Sequence, residues 1–314
     1  MATELTESFS FEIGPDPPYD PRLTLRKPSG WDLFTPYEVH ESNKVWSALT
    51  IDREATGVKF HPKGSVDDPS IDVSVYSKAS IKGRRERIKD LISEKVAPDV
   101  DIEEFYEIAE DDPILRYPVR KFRGMYPTTG DSIFSRALLA ITLQQTSIKR
   151  ARNMRECIVK SYGDEVSFDG KTVYAYPTAE TIVKVSEARL REECKVGYRA
   201  KYIKGTTEKI ADGFLALEDL KELSLQEARE ELQKLPGVGD YSADIINPYR
   251  GCPIDSWSAE VFGKLLLNDD SVSVREAKKA ATERWGEWAW LAFAYVVQDL
   301  EGLSKELGLE LRLE

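Results

Sequence analysis

Residues Leu235–Ser256 read "LPGVGDYSADIINPYRGCPIDS". A Pro-Gly-x-Gly turn stands between two segments of helical pattern. Leu235 ends the apolar face of the first, and Pro236 breaks it. Gly237 and Gly239 permit positive φ and let the backbone come close to something outside. The second helix then begins with free N–H groups pointing into that space. A helix start behind a glycine turn suits an anion. The turn carries no catalytic lysine and no Walker spacing, which favours a nucleic-acid phosphate over a nucleoside triphosphate. A plain structural connection between two helices has the same local pattern. Asp255 carries a similar ambiguity: it reads as the N-cap of "SWSAEVFGKLL" or as a reactive carboxylate.

Working outward, the chain divides into a strand-rich start and a helical remainder. "KVWSALTID" and "IDVSVYS" alternate apolar with polar positions and favour β-branched and aromatic types. "RLTLRKPSGWDLF" reads as an opening strand after the turn signal "PDPPYDP". "KGRRERIKDLISEKVAP" and "DVDIEEFYEIAED" read as helices. From about residue 113 helical patterns dominate. "GDSIFSRALLAITLQQTS" has Asp131 as its N-cap, and "IKRARNMRECIVKSYG" ends at Gly163. "TAETIVKVS", "EARLREECKVG" and "YRAKYIKGTTEKIADG" follow. "SLQEAREELQKL" opens with a capping box at Ser224 and Glu227. "REAKKAATERWGEWAWLAFAYVVQDL" closes the region. The expected architecture is α+β. An antiparallel β-rich domain with helices spans residues 1–112. An all-helical domain spans 113–314 and contains the hairpin at about 224–247.

Composition narrows the chemistry. The chain has 314 residues and a net charge of −11. Residues 1–115 carry 14 Lys+Arg against 24 Asp+Glu, residues 116–210 carry 19 against 10, and residues 211–314 carry 11 against 21. The basic surplus is confined to the middle, and anion binding follows such local fields more than the total. The cysteines, Cys157, Cys194 and Cys252, are odd in number and far apart in sequence, so no disulfide framework is expected. Three cysteines cannot hold a four-cysteine iron–sulfur cluster, and two histidines make a transition-metal centre an unpromising reading. No apolar run reaches 18 residues, so no membrane segment is expected. The polar, acidic start lacks the pattern of a secretory signal, and a cytoplasmic protein is expected, nuclear in a eukaryote.

Several separate pieces, in order, resemble the helix-hairpin-helix superfamily of DNA glycosylases. "RALLAITLQQTS", "KVGYRAKYIKGTTEKI", "LQKLPGVGDYSAD" and "PIDSW" look like its successive segments. "ERWGEWAWLAFAYV" resembles the tryptophan-containing late helix of the alkylpurine (AlkA-like) branch, and "PYDPRLTL" looks like part of that branch's N-terminal region. The resemblance covers about residues 10–300. It implies a monomeric enzyme acting on double-stranded DNA that contains damaged bases. It implies that Asp255 is the family's aspartate, placed to stabilise positive charge left on the sugar when the base departs.

The resemblance also assigns further roles. Bifunctional members carry a lysine two residues after the hairpin's last glycine, which attacks the sugar. Here that position is Tyr241, which implies a monofunctional enzyme, and an aromatic residue there can stack on an extruded base. Tyr241, Trp288 and Trp257 are the pocket candidates. Gln144 or Gln145 is the candidate wedge for the space an extruded base leaves. Gly237, Val238, Gly239, Lys149 and Arg199 are candidates for the DNA backbone, with Arg150, Arg152, Arg155, Lys201 and Lys204 as further basic positions. Hairpins of the family bind a monovalent cation through backbone carbonyls, here those of Leu235 and Val238. No other cofactor is implied. Two departures stand out. Tyr241 and Asp255 are 14 positions apart, a shorter path than usual, which brings Asp240 and Asp244 into play. The Arg-Ser pair after the late tryptophan is replaced by Ala289 and Trp290. Glycosylases for uracil, thymine mismatches, deaminated or oxidised bases, and a non-catalytic DNA-binding protein, are the alternatives.

Overall fold

A computed structural model describes residues 2–26, 35, 37–78, 81–97, 100–126, 132–216, 219–220, 222–247 and 251–311. The chain forms two compact units, each built from separate stretches. Unit one comprises Met1–Asp99, Gly124–Glu222 and Lys234–Gly237. Unit two comprises Val100–Arg123, Leu223–Gln233 and Val238–Glu314. The division expected between residues 112 and 113 falls inside the first stretch of unit two.

Unit one contains two sheets. Strands β1 (Thr3–Glu4) to β8 (Lys171–Tyr174) include β2 (Thr6–Ile13), β3 (Val39–Glu41), β4 (Lys44–Ile51), β5 (Glu54–Gly64), β6 (Pro69–Ser77) and β7 (Glu165–Phe168). The larger sheet is antiparallel, in the order β2-β6-β5-β4-β3. Both strands read from the sequence lie within it, as β4 and β6. Val58, Phe60, Ile71, Val73 and Val75 are buried at alternate positions, as the pleat requires. Of the opening strand expected at "RLTLRKPSGWDLF", Arg22–Arg26 belong instead to a helix, Pro21–Arg26, and the rest lies outside the described residues. Asp20 overrides the strand pattern by accepting the backbone N–H groups of Arg22 at 2.8 Å and Leu23 at 2.9 Å. Pro21 suits the first helical position, where no N–H is needed.

The second sheet, in the order β1-β7-β8, corrects the expectation of an all-helical region after residue 113. Asp169 and Gly170 form a two-residue turn, both with positive φ (50° and 73°). That backbone matches the twist of a hairpin. Phe168, Trp46, Tyr76 and Val173 join the two sheets in one apolar cluster. Gly57 leaves room for this, since a Cβ there would stand 2.5 Å from the Phe168 ring.

The helices of unit one follow the sequence pattern. Ile133–Leu143 begins at Ser132, whose hydroxyl accepts from the Ser135 N–H in a capping box. The cap expected at Asp131 lies outside the described residues. Ile148–Tyr162 is capped by Ser147, and Arg199–Ala211 completes the group. Phe134, Leu138, Met154, Ile158, Leu190 and Ile203 pack together between them. Cys157 and Cys194 form a disulfide, with Cα atoms 5.3 Å apart. The expectation of no disulfide fails because 37 positions of sequence separation fold back into contact, which cysteine spacing alone does not reveal.

Unit two is helical: Glu103–Asp111, Arg116–Lys121, Leu225–Leu232, Asp240–Ile246, Ser256–Leu267, Val274–Trp285, Ala289–Val296 and Leu300–Leu307. Phe105, Phe262, Trp285 and Tyr295 are fully buried in it. Asp112 accepts from Arg284 Nε at 2.6 Å, Trp285 Nε1 at 2.9 Å and the backbone N–H groups of Ile114 and Leu115. Burial alone would raise its pKa, but these donors outweigh burial and hold it below the usual carboxylate value. Among the described residues no helix is long and apolar enough to cross a membrane.

Candidate active site

The hairpin forms where the sequence places it. The helices Leu225–Leu232 and Asp240–Ile246 pack on each other, and the first has the expected capping box at Ser224 and Glu227. Within unit one the turn itself is fastened to the Arg199–Ala211 helix. Thr206 Oγ1 donates to the Pro236 carbonyl at 3.0 Å, and Gln144 Nε2 donates to the Gly237 carbonyl at 2.7 Å. Gly237 has φ +80°, and a Cβ there would meet the Tyr202 ring at 2.5 Å. Both facts require glycine. Gly239 corrects the expectation of positive φ, since its φ is −104°. A Cβ at Gly239 meets nothing within 4 Å, so that position opens onto free space. Leu235 and the Val238 side chain are buried. Among the described residues no cluster of His, Cys, Asp and Glu could hold a metal.

Asp255 is the N-cap of Ser256–Leu267 and closes a capping box with Ser258. Its Oδ1 accepts from the Ser258 N–H at 2.8 Å and from Ser258 Oγ at 2.7 Å. Oδ2 has no partner among the described residues. The two readings of this residue therefore occupy different oxygens: one fixes the helix start, the other is available. Tyr241 is close enough to feel that charge. Burial first, then the Asp255 carboxylate, pushes the Tyr241 phenol above its ordinary pKa. Trp257, two residues beyond Asp255, has a buried indole N–H that meets no acceptor among the described residues.

The short return from Tyr241 to Asp255 brings these two groups into electrostatic contact instead of separating them. The helix ends at Ile246, and Gly251 N–H donates to the Asn247 carbonyl at 3.2 Å. Gly251 allows the backbone to pass close to Asp244, because a Cβ there would lie 2.6 Å from the Asp244 Cα. Pro248, read as the residue that ends the helix, lies outside the described residues. The two alternative aspartates sit differently. Asp244 is 2% exposed and pairs with Arg229 at 2.8 Å and with Lys278. Asp240 is exposed and accepts from Gln233.

Trp288 departs from the pocket assignment. Its indole N–H donates to Glu104 at 3.1 Å and its ring packs on Phe105, which makes it part of the core of unit two. The positive φ of Gly286 and a short 3-10 turn at Gly286–Trp288 break the expected late helix at this point.

Unit one holds the remaining candidates. Gln144 is half-buried and committed to the Gly237 carbonyl. Gln145 is exposed at the tip of the turn, with φ +44° and no side-chain partner among the described residues. Ile148, Lys149 and Arg150 are exposed at the next helix start, Ile148 to 63%. Arg199 corrects the assignment to the DNA backbone. It is 4% exposed, and its guanidinium donates to the carbonyls of Gln144, Gln145 and Val196. Arg155 is likewise fully buried, beside Tyr176 and Tyr37, and burial pushes its pKa down. Lys204 reaches the Val183 carbonyl. Sequence reasoning missed the role of Arg199 because a basic helix gives no sign of which residues turn inward.

Comparison with known proteins adds to this geometry. Residues 138–287 match the HhH-GPD superfamily of base excision DNA repair proteins. The chain is 26% identical over 220 residues to a DNA-3-methyladenine glycosylase of Bacillus subtilis, covering 68% of this chain and 72% of that one. It is 26% identical over 214 residues to a probable N-glycosylase/DNA lyase of Methanothermobacter thermautotrophicus, covering 62% and 67%. Among solved structures it is similar to a 3-methyladenine DNA-glycosylase from Archaeoglobus fulgidus, with a TM-score of 0.76 and 26% identity over 92% of this chain and 97% of that chain.

Proposed function

We propose that the chain is a helix-hairpin-helix DNA glycosylase of base excision repair, and a monofunctional one for alkylated purines. It extrudes a damaged purine such as 3-methyladenine from double-stranded DNA, hydrolyses the N-glycosidic bond and leaves an abasic site. The observation that carries this reading is Asp255, with one oxygen locked by Ser258 and the other unengaged. As the base departs, C1′ gains positive charge, and a fixed carboxylate oxygen lowers the energy of that state. The same oxygen can orient the attacking water.

Tyr241 supports both the monofunctional and the pocket role. A phenol cannot form the Schiff base that a lysine would. Its pKa, raised further by Asp255, keeps it neutral at physiological pH. A neutral ring offers its face to a cationic or electron-poor purine. Trp257 supplies an unsatisfied indole N–H beside the Asp255 helix start. Gln145 is the wedge for the space left in the duplex, and Lys149, Arg150 and the open backbone at Gly239 take phosphate.

Base release from a panel of duplexes, each with one alkylated, deaminated, oxidised or mismatched base, tests the substrate class. Fastest release of N-alkylated purines is expected, and preference for an oxidised or mismatched base overturns it. Borohydride trapping tests the chemistry. No covalent DNA adduct is expected, and an adduct sinks the monofunctional reading.

A further inference from the structure

The turn after Ile133–Leu143 carries the candidate wedge in a backbone conformation that residues with side chains rarely adopt. Gln145 has φ +44°. Arg199 donates hydrogen bonds to this turn. Its Nη2 donates to the carbonyl of Gln144 and, at 3.3 Å, to that of Gln145, while Nη1 donates to the Val196 carbonyl at 3.4 Å. The guanidinium is buried and stacks on the Tyr198 ring at 4.7 Å. A planar fork of donors can bind successive carbonyls at once; a lysine ammonium on a flexible stem cannot reproduce that geometry.

The clamp is connected on both sides. Gln144 Nε2 donates to the Gly237 carbonyl at 2.7 Å, which ties the wedge turn to the hairpin turn. Arg199 follows shortly after Cys194, and the Cys194–Cys157 disulfide anchors that segment to Ile148–Tyr162, the helix that the wedge turn leads into. The arginine, the turn and the following helix therefore form one closed connection.

We infer that Arg199 is a positioning residue for base extrusion: it sets the direction in which Gln145 leaves the turn and touches no DNA itself. The inference rests on the glycosylase reading above. It predicts that Arg199 and Gln145 act as one unit, and that losing Arg199 slows extrusion without removing a phosphate contact.

The test is a double-substitution cycle of Arg199→Met and Gln145→Ala, with Arg199→Lys as the conservative variant. The substrate is a duplex with one N-alkylated purine beside 2-aminopurine, whose fluorescence reports unstacking. Arg199→Met is expected to slow single-turnover release and the fluorescence rise by about tenfold to a hundredfold. Duplex affinity should change by less than about threefold, with its salt dependence intact. In the Gln145→Ala background the same substitution should add less than about twofold. Arg199→Lys should not restore the rate. Independent, multiplying effects overturn the inference. So does a salt slope reduced by about one, which would assign Arg199 to a phosphate. Amide hydrogen exchange separates a local effect from misfolding and needs no activity. Faster exchange confined to Gln145–Ser147 supports the clamp, whereas unchanged exchange there, or faster exchange throughout, overturns it. If the wild-type enzyme releases no base from any duplex, the proposed function fails while the exchange experiment still decides the role of Arg199.

Discussion

Asp244 and Asp255 lie in the same unit, 11 positions apart in sequence, and their surroundings engage the same carboxylate in different ways. Asp244 is sealed in, its two oxygens taken by Arg229 and Lys278, which tie the hairpin helices to Val274–Trp285. Asp255 stands at a helix start with half of its carboxylate engaged. Asp244 has a cation on each oxygen, whereas Asp255 is held rigidly through one oxygen with the other open. What separates the two residues is the company each keeps, since both follow from the same residue type at a helix.

The contrast is broken most directly at Asp255. Asp255→Asn keeps a good N-cap, so the thermal midpoint should hardly move. Base release should fall by about a hundredfold to a thousandfold, because the role proposed for Asp255 depends on its charge. Unchanged release would put Asp255 in the same structural class as its neighbour. Asp244→Asn should invert the pattern. Two cations lose their counter-charge, and stability should drop by about 2–3 kcal/mol, toward the low side because Arg229 and Lys278 keep some exposure to water. Denaturant unfolding measures this, and release per folded molecule should stay at the wild-type rate.

Ser258→Ala sharpens the comparison on a finer scale. It removes the hydroxyl that donates to Oδ1, while the backbone N–H remains. A loss of about 1 kcal/mol in stability is expected, with a several-fold drop in release as the carboxylate gains freedom. A loss confined to stability would show that Asp255 needs no such restraint. The smallest effect belongs to Asp299, an aspartate with mixed surroundings. The Lys121 ammonium, then the Tyr117 hydroxyl, hold its pKa at about 2. A depressed pKa means that the stabilisation is complete above the unfolded value near pH 4 and fades as the pH falls to about 2. Thermal melts of wild type and Asp299→Asn across that range should converge at the acid end.

Much of this was legible in the sequence because it is local. The hairpin, its capping box at Ser224 and Glu227, and the Asp255 cap are each written within a few residues. So are strands β4 and β6 and the substitution of Tyr241 for lysine. What stayed hidden depends on long-range packing. Nothing local says that Arg199 points inward to two carbonyls, or that Trp288 finds Glu104. The helix at Pro21–Arg26 won over a strand pattern through one aspartate side chain. The β7–β8 hairpin was readable from its Asp-Gly pair but lay in a stretch dominated by helical periodicity. The identity of the preferred base is the least legible of all, since no short motif encodes the shape of a pocket.

The disulfide between Cys157 and Cys194 makes the intervening stretch a covalent ring, and the exposed Asp169–Gly170 turn lies on that ring. A protease that cuts at this turn breaks a peptide bond yet releases no fragment. The nicked molecule would run as one chain on a denaturing gel until a thiol reductant is added, and then as two.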